Sequence, residues 1–532
     1  MSSERQSLVE LGVEAAKEGY GFFIGNTLST LILAIGSIAI ARLLGSENYG
    51  VYSLSFIIPS MLVLFTSLGI DQSLIKYVSE YASKKLYSDI RGMFQASLIF
   101  KLVMGAITTI IIYLLAESLA SNLLNRPYMA SLIKISSLLI LFQALYTLCS
   151  NFFIGFGKAS VAGALATLQA LVKVSLIIVL LILGFQTWGA VFGHVFGYVV
   201  AAIIGLFIST LMIRGKKGFN EHRPVPQISF IKPLISYGLP LYASTIFTVM
   251  AQQYNNLVLA RYASNAQVGS YMAAMNLSMI IMLVSTPIAT ILYPSFSKIE
   301  VIGRDRLARA FELAVRYSIL LIAPTAIFVS AFSENLVIIV YGKTFTSAIP
   351  YLFLYAAFCS IIPLLSVEMS YFNGVGLPKK TLTSTIISFL LILPLSPILA
   401  HFLSVIGVIL AIIIAKLAAI IYATNFIVKR EMIRFNVHQI LKIYLASLAS
   451  AAISLMIARV IPLHALSSLI IGGILFLTLY VTFIALLKTL DEGDYYNLSE
   501  IMGGLRLVGR LAEVIISYMR FIDGRFRRSR KA

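Results

Sequence analysis

The sequence predicts an all-α polytopic membrane protein with about fourteen transmembrane helices. Two observations come from composition: 59% of the 532 residues are hydrophobic and only 12% are charged. The third is that apolar runs of about 20 residues, each long enough to cross the hydrocarbon as a helix, recur along the whole chain. Backbone groups in lipid must be satisfied within one element, so such runs form helices. A soluble chain of this length needs far more surface charge.

The predicted spans follow these apolar runs in chain order. They cover residues 20–43, 51–71, 93–115, 130–155, 160–183, 189–213, 233–260, 268–293, 311–331, 347–372, 381–401, 406–427, 442–461 and 466–487. The polar, amphipathic N-terminal segment shows no apolar core of a signal peptide, so we expect the first internal span to direct insertion.

Lysine and arginine are distributed unequally between the two sides of the membrane. With the N-terminus inside, 31 of the 41 basic residues fall in inside segments and 5 in outside segments. Short cytoplasmic loops carry such an excess, so we expect a cell-membrane protein with both termini in the cytoplasm. The net charge of +19 follows this topology, which argues against a nucleic-acid partner.

Two sequence motifs recur at an offset of 219 residues. The segment ARLLGSENYGVY at 41–52 resembles ARYASNAQVGSY at 260–271, and FIGFG at 153–157 resembles FNGVG at 372–376. The matched residues are Arg42 and Arg261, Gly50 and Gly269, Tyr52 and Tyr271, Phe153 and Phe372, Gly155 and Gly374, and Gly157 and Gly376. The offset predicts two parallel six-helix lobes, because six spans return the chain to the same side.

The predicted organisation therefore has four parts. Residues 1–213 form an N-lobe of spans 1–6, and residues 233–427 form a C-lobe of spans 7–12. Residues 428–487 supply two extra spans. The tail at 488–532 carries apolar residues on one helical face and basic residues opposite, which is typical of a cytoplasmic amphipathic helix at the membrane surface.

These motifs together resemble the polysaccharide transporter (O-antigen flippase-type) family of the multidrug/oligosaccharidyl-lipid/polysaccharide exporter superfamily. The resemblance rests on ARLLGSENYGVYSL after span 1, LGIDQSLIKYVSEY after span 2, FNGVGLPKK after span 10 and the number of spans. It implies two lobes around a central cavity and transfer of polyprenyl-pyrophosphate-linked glycans to the outer leaflet. It also implies membrane lipid and this glycan as partners, with glycan-assembly enzymes nearby.

One segment departs from the family pattern. Members often carry an acidic residue late in span 7, where this chain has the neutral sequence QQYNN at 252–256. This puts cation or proton coupling through span 7 in doubt and leaves the coupling ion open. We expect no cofactor and a monomeric protein.

Lysines within spans are the main candidate cargo-binding residues. Lys173 and Lys416 lie near mid-span, where a charge costs on the order of 3 kcal/mol and normally faces a wet cavity or a partner. They are expected to attract a pyrophosphate or acidic sugar; the alternative is a buried pair that fixes helix packing. Lys101, Lys134 and Arg316 lie nearer the interfaces, where they line the same cavity or extend towards the head groups.

Polar residues on two spans are the remaining candidates for the cavity wall. Thr245, Thr248, Gln252 and Asn255 recur at spacings of three and four on span 7, which places them on one face. Asn26 on span 1 is added to this lining, although polar residues also hold helices together. His194 is interpreted as a core histidine with satisfied hydrogen bonds, and Asp71 and Glu368 as partners of loop lysines.

Two other functions compete with glycan-lipid transfer. A small-molecule or drug exporter of the same superfamily would share the repeat, but cationic drugs require acidic cavity residues and the in-span charges here are mostly basic. A membrane-embedded glycan polymerase or transferase requires catalytic acids or histidines in a sizeable outside loop, and these loops are short. Cys149 and Cys359 lie inside spans and predict no disulfide framework or metal site. We therefore expect a transporter and not an enzyme.

Overall fold

A computed structural model describes residues 2–214, 228–432, 437–460, 464–490, 493–496, 513–514 and 517–520. Over these residues the chain is helical and contains no β-strand. The loop after the sixth predicted span and most of the predicted amphipathic tail at 488–532 lie outside the described residues.

The N-terminal half is a series of seven α-helices. They are α1 (Ser2–Ser55), α2 (Ile57–Leu62), α3 (Ile70–Ser83), α4 (Tyr87–Ser118), α5 (Ala130–Gly155), α6 (Ala159–Ile182) and α7 (Gln186–Arg214). Short 3-10 turns at Val63–Thr66 and Pro127–Met129 and a π turn at Leu119–Leu123 connect some of them. The bounds of α5, α6 and α7 lie within about three residues of the predicted spans.

The C-terminal half adds nine helices among the described residues. They are α8 (Ile228–Tyr262), α9 (Asn265–Glu300), α10 (Arg304–Ala331), α11 (Ser333–Tyr341), α12 (Ala348–Cys359), α13 (Ile362–Gly374), α14 (Pro378–Glu431), α15 (Val437–Val460) and α16 (Ala465–Leu486). One 3-10 turn, Lys343–Phe345, lies between α11 and α12.

The described residues contain ten helices that are long and apolar enough to cross a membrane. An eleventh span results if α12 and α13, which are bent by 46° at their junction, are counted together. The chain is therefore a multi-pass membrane protein. Large apolar side chains on α4 face outwards, including Ile107, Ile110 and Leu114, as expected for a surface in contact with lipid.

Helix α14, which at 54 residues is as long as α1, contains two predicted spans and a sharp break. Ser404 has φ 51° and ψ −127°, outside helical geometry. A Cβ placed on Gly407 would lie 2.1 Å from the carbonyl oxygen of Leu399, so the backbone turns back on itself here. Helix α1 has a similar break at Gly45, with φ 71°, between the first and second predicted spans. A positive φ is readily adopted by glycine, which has no Cβ.

The chain divides into two compact units. Unit 1 comprises Met1–Met272 and Ile392–Val408, and unit 2 comprises Ala273–Leu391 and Ile409–Ala532. Aromatic side chains contribute to both cores: Phe94, Phe152 and Phe153 are buried in unit 1, and Phe311 and Tyr371 in unit 2. Large aromatic groups bury the most apolar surface for each residue fixed.

Two glycines related by the offset of 219 contact each other within unit 1. A Cβ on Gly50 would lie 1.9 Å from the carbonyl oxygen of Asn265, and a Cβ on Gly269 would lie 1.9 Å from that of Ser46. Ser46 and Asn265 are also separated by 219 residues. The contact is thus reciprocal, and it requires glycine because any side chain would displace the backbones.

Candidate functional site

A hydrogen-bonded group within unit 1 joins helices α1, α6 and α7. Lys173 Nζ lies 3.1 Å from His194 Nε2, and His194 Nδ1 lies 2.9 Å from the Tyr52 hydroxyl. Lys173 and His194 are partly exposed, whereas Tyr52 is buried. In the described residues none of the three forms an ion pair with a carboxylate, so the positive charge of Lys173 has no counter-charge here.

A ridge of small residues on α7 brings this group together. Gly189, Gly193 and Gly197 recur every four residues and therefore lie on one helical face. A Cβ on Gly197 would lie 2.7 Å from Lys173 Cβ, so α6 and α7 approach closely, as small-residue ridges allow in membranes. His194 follows Gly193 directly, and the ridge thus sets it beside Lys173.

Aromatic rings surround the imidazole of His194. The ring centroid of Phe56 lies 4.1 Å away, that of Tyr52 lies 5.9 Å away and that of Tyr198 lies 6.0 Å away. These rings fix the orientation of His194 and offer the hydroxyl of Tyr52 as its second partner. The expectation that His194 is satisfied is met, but its partners include the candidate Lys173, which sequence reasoning did not connect to it.

Lys416, the other mid-span lysine, lies on α14 in unit 2. Its side chain is partly exposed, and it has no hydrogen-bond or ion-pair partner among the described residues. An unpaired ammonium within an apolar helix is costly unless water or an anion reaches it. A role for Lys416 in cargo binding stays a prediction.

The other basic candidates each have a polar partner. Lys101 is fully buried, with Nζ 2.7 Å from Asp71 Oδ1 and 3.1 Å from Thr147 Oγ1. Lys134 Nζ lies 2.7 Å from Glu117 Oε1 in an exposed ion pair. The roles of both in cargo binding stay predictions.

Arg316 is the third basic candidate, and it is buried in unit 2. Its guanidinium donates to Gln439 Oε1 at 2.7 Å and also forms an ion pair with Asp494. The carboxylate of Asp494 accepts a further hydrogen bond from the Tyr317 hydroxyl at 2.7 Å. A charge bound in this way fixes helix packing, and a role for Arg316 towards cargo stays a prediction.

The polar stripe on α8 is partly open. Thr245, Thr248 and Gln252 are exposed, whereas Asn255 is buried and accepts a hydrogen bond of 2.9 Å from Ser396 Oγ. Asn26 on α1 is also exposed. The stripe thus presents three polar side chains outwards and uses the fourth to hold α8 against the first part of α14.

Two acidic residues differ from the sequence expectation that they pair with loop lysines. Asp71 pairs with Lys101, which lies inside a span. Glu368 is fully buried, and one carboxyl oxygen accepts a hydrogen bond from Thr424 while the other has no partner. The buried Lys101 thus takes the place of a loop lysine at Asp71, and complete burial keeps a loop lysine away from Glu368.

Arg126 forms a set of hydrogen bonds that the sequence did not predict. It lies between α4 and α5 and donates to Asn265 Oδ1 at 2.7 Å, to the Leu124 carbonyl at 3.0 Å and to the Ala263 carbonyl at 2.7 Å, and it also contacts the Ala260 carbonyl. Carbonyl groups leave no side-chain signal in a sequence. Arg126 ties the segment between α4 and α5 to the segment between α8 and α9.

Unit 2 also contains a large, mainly apolar cavity of about 1410 Å³. Helices α10 to α13, α15 and α16 line it, with a few polar groups that include Glu334, Tyr444 and Arg459. Among the described residues, no group of three histidine, cysteine, aspartate or glutamate residues could hold a metal ion.

Comparison with solved structures identifies the fold. The chain is similar to an inward-facing multidrug resistance MATE family transporter of the MOP superfamily, with a TM-score of 0.63 and 17% identity, covering 76% of this chain and 94% of that one. It is also similar to the lipid II flippase MurJ in an inward closed conformation, with a TM-score of 0.64 and 16% identity, covering 87% and 98%. The helical fold is therefore of the MATE and MurJ type.

Relatives with curated names extend the comparison to sequence. The succinoglycan biosynthesis transport protein ExoT of Rhizobium meliloti is 24% identical over 63% of this chain and 64% of its own length. The lipopolysaccharide biosynthesis protein WzxC of Escherichia coli is 24% identical over 61% and 63%. The probable low-salt glycan biosynthesis flippase Agl15 of Haloferax volcanii is 22% identical over 51% and 58%. The matched regions thus span less than two thirds of each relative.

A family model covers a large part of the chain. The model described as polysaccharide biosynthesis protein matches residues 17–300, which is more than half of the 532 residues. The match includes Lys173, His194 and the whole polar stripe of α8. The chain belongs to the polysaccharide biosynthesis protein family.

Proposed function

We propose that this protein is a flippase that transfers polyprenyl-pyrophosphate-linked oligosaccharide from the cytoplasmic to the outer leaflet for polysaccharide or glycoconjugate synthesis. The observation that carries the proposal is the basic character of its partly exposed in-span charges. Lys173 has no acidic partner, and Lys416 has no partner at all in the described part of the chain. Both suit an anionic pyrophosphate, and the names of the curated relatives point to glycan export.

The cargo has two parts with different needs. A polyprenyl tail can remain in the bilayer, whereas the polar head must cross about 30 Å of hydrocarbon. We propose that Lys173 and Lys416 each supply positive charge to the passing head, and that Asn26, Thr245, Thr248 and Gln252 supply polar contacts. Lysine suits a transient ligand, since it is a flexible point charge without a fixed bidentate geometry.

We further propose fourteen spans, twelve of them in two repeated sets of six, with both termini in the cytoplasm of a cell membrane. The reciprocal contact of Gly50 and Gly269 supports the repeat. Gly155 and Gly374, also 219 residues apart, each pack closely on a backbone carbonyl, that of Ile75 at a Cβ distance of 2.9 Å and that of Tyr293 at 2.8 Å. The bent helix α14 accommodates two spans, and the break in α1 at Gly45 separates the first span from the start of the second.

The repeat also relates the two lysines. The residue 219 positions before Lys416 is Gly197, which packs directly against Lys173. In the proposed repeat, the two copies carry a lysine on opposite members of equivalent helix pairs. This arrangement supports the proposal that both lysines serve one cargo, because each proposed copy supplies one basic group.

A drug exporter remains the second candidate, because the MATE transporter shares the fold. The in-span basic residues oppose it, since a cationic drug requires acidic groups to bind. Substrate competition separates the two candidates. Purified lipid-linked oligosaccharide should displace lipid-linked oligosaccharide that is already bound to this protein, whereas a lipophilic cation such as ethidium should not displace it.

The test of the proposed function is glycan-lipid translocation in cells or proteoliposomes, scaled to protein abundance. Lys173→Met and Lys416→Met should each reduce translocation by about tenfold to a hundredfold, the effect of losing a hydrogen bond to a charged group. Replacement by glutamate should reduce it further. Lys84→Met, which removes a lysine from an exposed ion pair with Glu80 and lies outside the candidate residues, is the matched control. Normal transport by all four variants at normal abundance would disprove the assignment.

A further inference from the structure

We infer that His194 is a proton-operated switch. While its imidazole is neutral, it holds the Lys173 ammonium by a hydrogen bond, and when the imidazole is protonated it frees this ammonium to bind an anion. This inference rests on the proposed function for the nature of the anion, a pyrophosphate head group. It adds a mechanism that links anion binding to proton binding at one site. The geometry that carries it is the chain of hydrogen bonds from Lys173 through His194 to Tyr52.

The hydrogen-bond pattern fixes which ring nitrogen carries the proton. A lysine ammonium donates and cannot accept, so at 3.1 Å Lys173 Nζ donates to His194 Nε2. Nε2 is then unprotonated, and the single ring proton lies on Nδ1, which donates to the Tyr52 hydroxyl at 2.9 Å. His194 is therefore neutral in this arrangement, and its acceptor nitrogen is occupied by Lys173.

Protonation of His194 removes this acceptor. Nε2 becomes a donor, and two cationic groups then face each other across the same short distance, so Lys173 must turn away. Lys173 and His194 are both partly exposed, so neither side chain is sealed within the helix bundle.

The surrounding titratable groups supply no negative charge to offset the second proton. Helix α1 contributes Tyr52 and, stacked on it, Tyr49. Helix α7 contributes Tyr198, which packs on Tyr146 of α5. Across the described helices, no carboxylate pairs with Lys173, His194 or Tyr52. An imidazolium here is consequently stabilised only when an anion arrives to neutralise both cations.

Proton and anion must then bind together, and thermodynamic linkage makes the effect reciprocal. An anion that binds between Lys173 and His194 takes up one proton, and the proton returns to water when the anion leaves. The affinity for the anion therefore rises as the pH falls. If His194 is neutral in the free protein and protonated in the complex, the gain approaches tenfold for each pH unit.

The test measures proton uptake by the full-length protein in detergent micelles. Farnesyl pyrophosphate is the probe, titrated calorimetrically at pH 7 in HEPES and in Tris, whose different ionisation enthalpies reveal the number of protons exchanged. The key variant is His194→Gln, whose side-chain amide can keep both hydrogen bonds but cannot titrate. Ligand protonation contributes equally to both proteins, so the difference between them reports His194.

The wild-type protein should take up as much as one proton more than the His194→Gln variant, and its affinity should rise more steeply as the pH falls from 8 to 6. His401→Gln, which changes an exposed histidine of the same unit, should behave as wild type. Lys173→Met should bind the probe at least tenfold more weakly. Size-exclusion profiles check folding, and His194→Asn replaces the glutamine variant if that one aggregates.

Equal proton uptake and equal pH dependence in the wild type and the glutamine variant, with both binding the probe, would overturn the switch. The proposed flippase function would survive that result, because translocation by Lys173→Met tests it separately. Failure of the wild type to bind farnesyl pyrophosphate at any pH would overturn the switch as well, and a parallel failure of glycan-lipid translocation would be needed to reject the flippase.

Discussion

The ion pair between Lys101 and Asp71 allows a quantitative prediction of stability. Lys101 is fully buried, and the Asp71 side chain is only 20% exposed, with 2.7 Å between the charged atoms. Replacing Lys101 with methionine keeps the volume and leaves the carboxylate without its cation. Breaking a buried pair in this way costs about 3–5 kcal/mol. Residual exposure of Asp71 favours the lower end, so we expect a loss of about 3 kcal/mol.

The double variant Lys101→Met/Asp71→Asn removes both charges. Asparagine keeps an acceptor for the Ser67 hydroxyl, which donates to Asp71 at 2.6 Å. We therefore expect the double variant to lie within about 1 kcal/mol of wild type, since replacing both partners avoids an uncompensated charge. The resulting coupling energy of about 2 kcal/mol or more is within the range seen for residues in direct contact.

Reversible unfolding in mixed detergent and dodecyl sulfate micelles gives the four unfolding free energies of this cycle, those of the wild type, Lys101→Met, Asp71→Asn and the double variant. Lys134→Met is the control, because Lys134 forms an exposed pair with Glu117, whose side chain is 76% exposed, and such pairs contribute little. A Lys101→Met variant as stable as wild type, or a double variant as unstable as Lys101→Met, would refute the structural role of Lys101.

Two further predictions concern the ion pair of Arg316 and the close contact between Gly50 and Gly269. Arg316→Met should destabilise unit 2 by about 3 kcal/mol, since it leaves the Asp494 carboxylate buried without its cation. Arg316→Lys should recover only part of this stability, because lysine lacks the planar fork that also binds Gln439. Equal unfolding midpoints for the Arg316→Met variant and the wild type would contradict this prediction. Gly50→Ala and Gly269→Ala should lower the yield of folded protein, whereas Gly19→Ala, with open space around it, should leave it unchanged, and normal yield and melting of all three would argue against the close contact.

The sequence predicts the helices well because apolar length is a local property. The segment 130–155 coincides with α5, and the breaks at Gly45 and Ser404 fall between predicted spans. The prediction does not capture the bend between α12 and α13 or the short helix α11, since both depend on packing rather than on hydropathy. The tail from 488 onwards was predicted as an amphipathic helix, and most of it lies outside the described residues.

The site is less predictable, because side-chain partners come from distant parts of the chain. Lys173 and Lys416 could be selected from cost alone, since a mid-span charge requires a reason. The partners of Lys101 and Lys173 could not, because Asp71 and His194 reach them through helix packing. A local signal did exist for His194: the glycines before and after it, four residues apart, mark the face of α7 on which another helix packs closely.

The reciprocal contact of Gly50 with Asn265 and of Gly269 with Ser46 has a consequence for substitution at either glycine. Each glycine leaves room for the backbone of the opposite segment, so a larger side chain at one position displaces both segments at once. Two surface patches that meet in this reciprocal manner have the geometry of a two-fold contact, in which one change is felt on both sides.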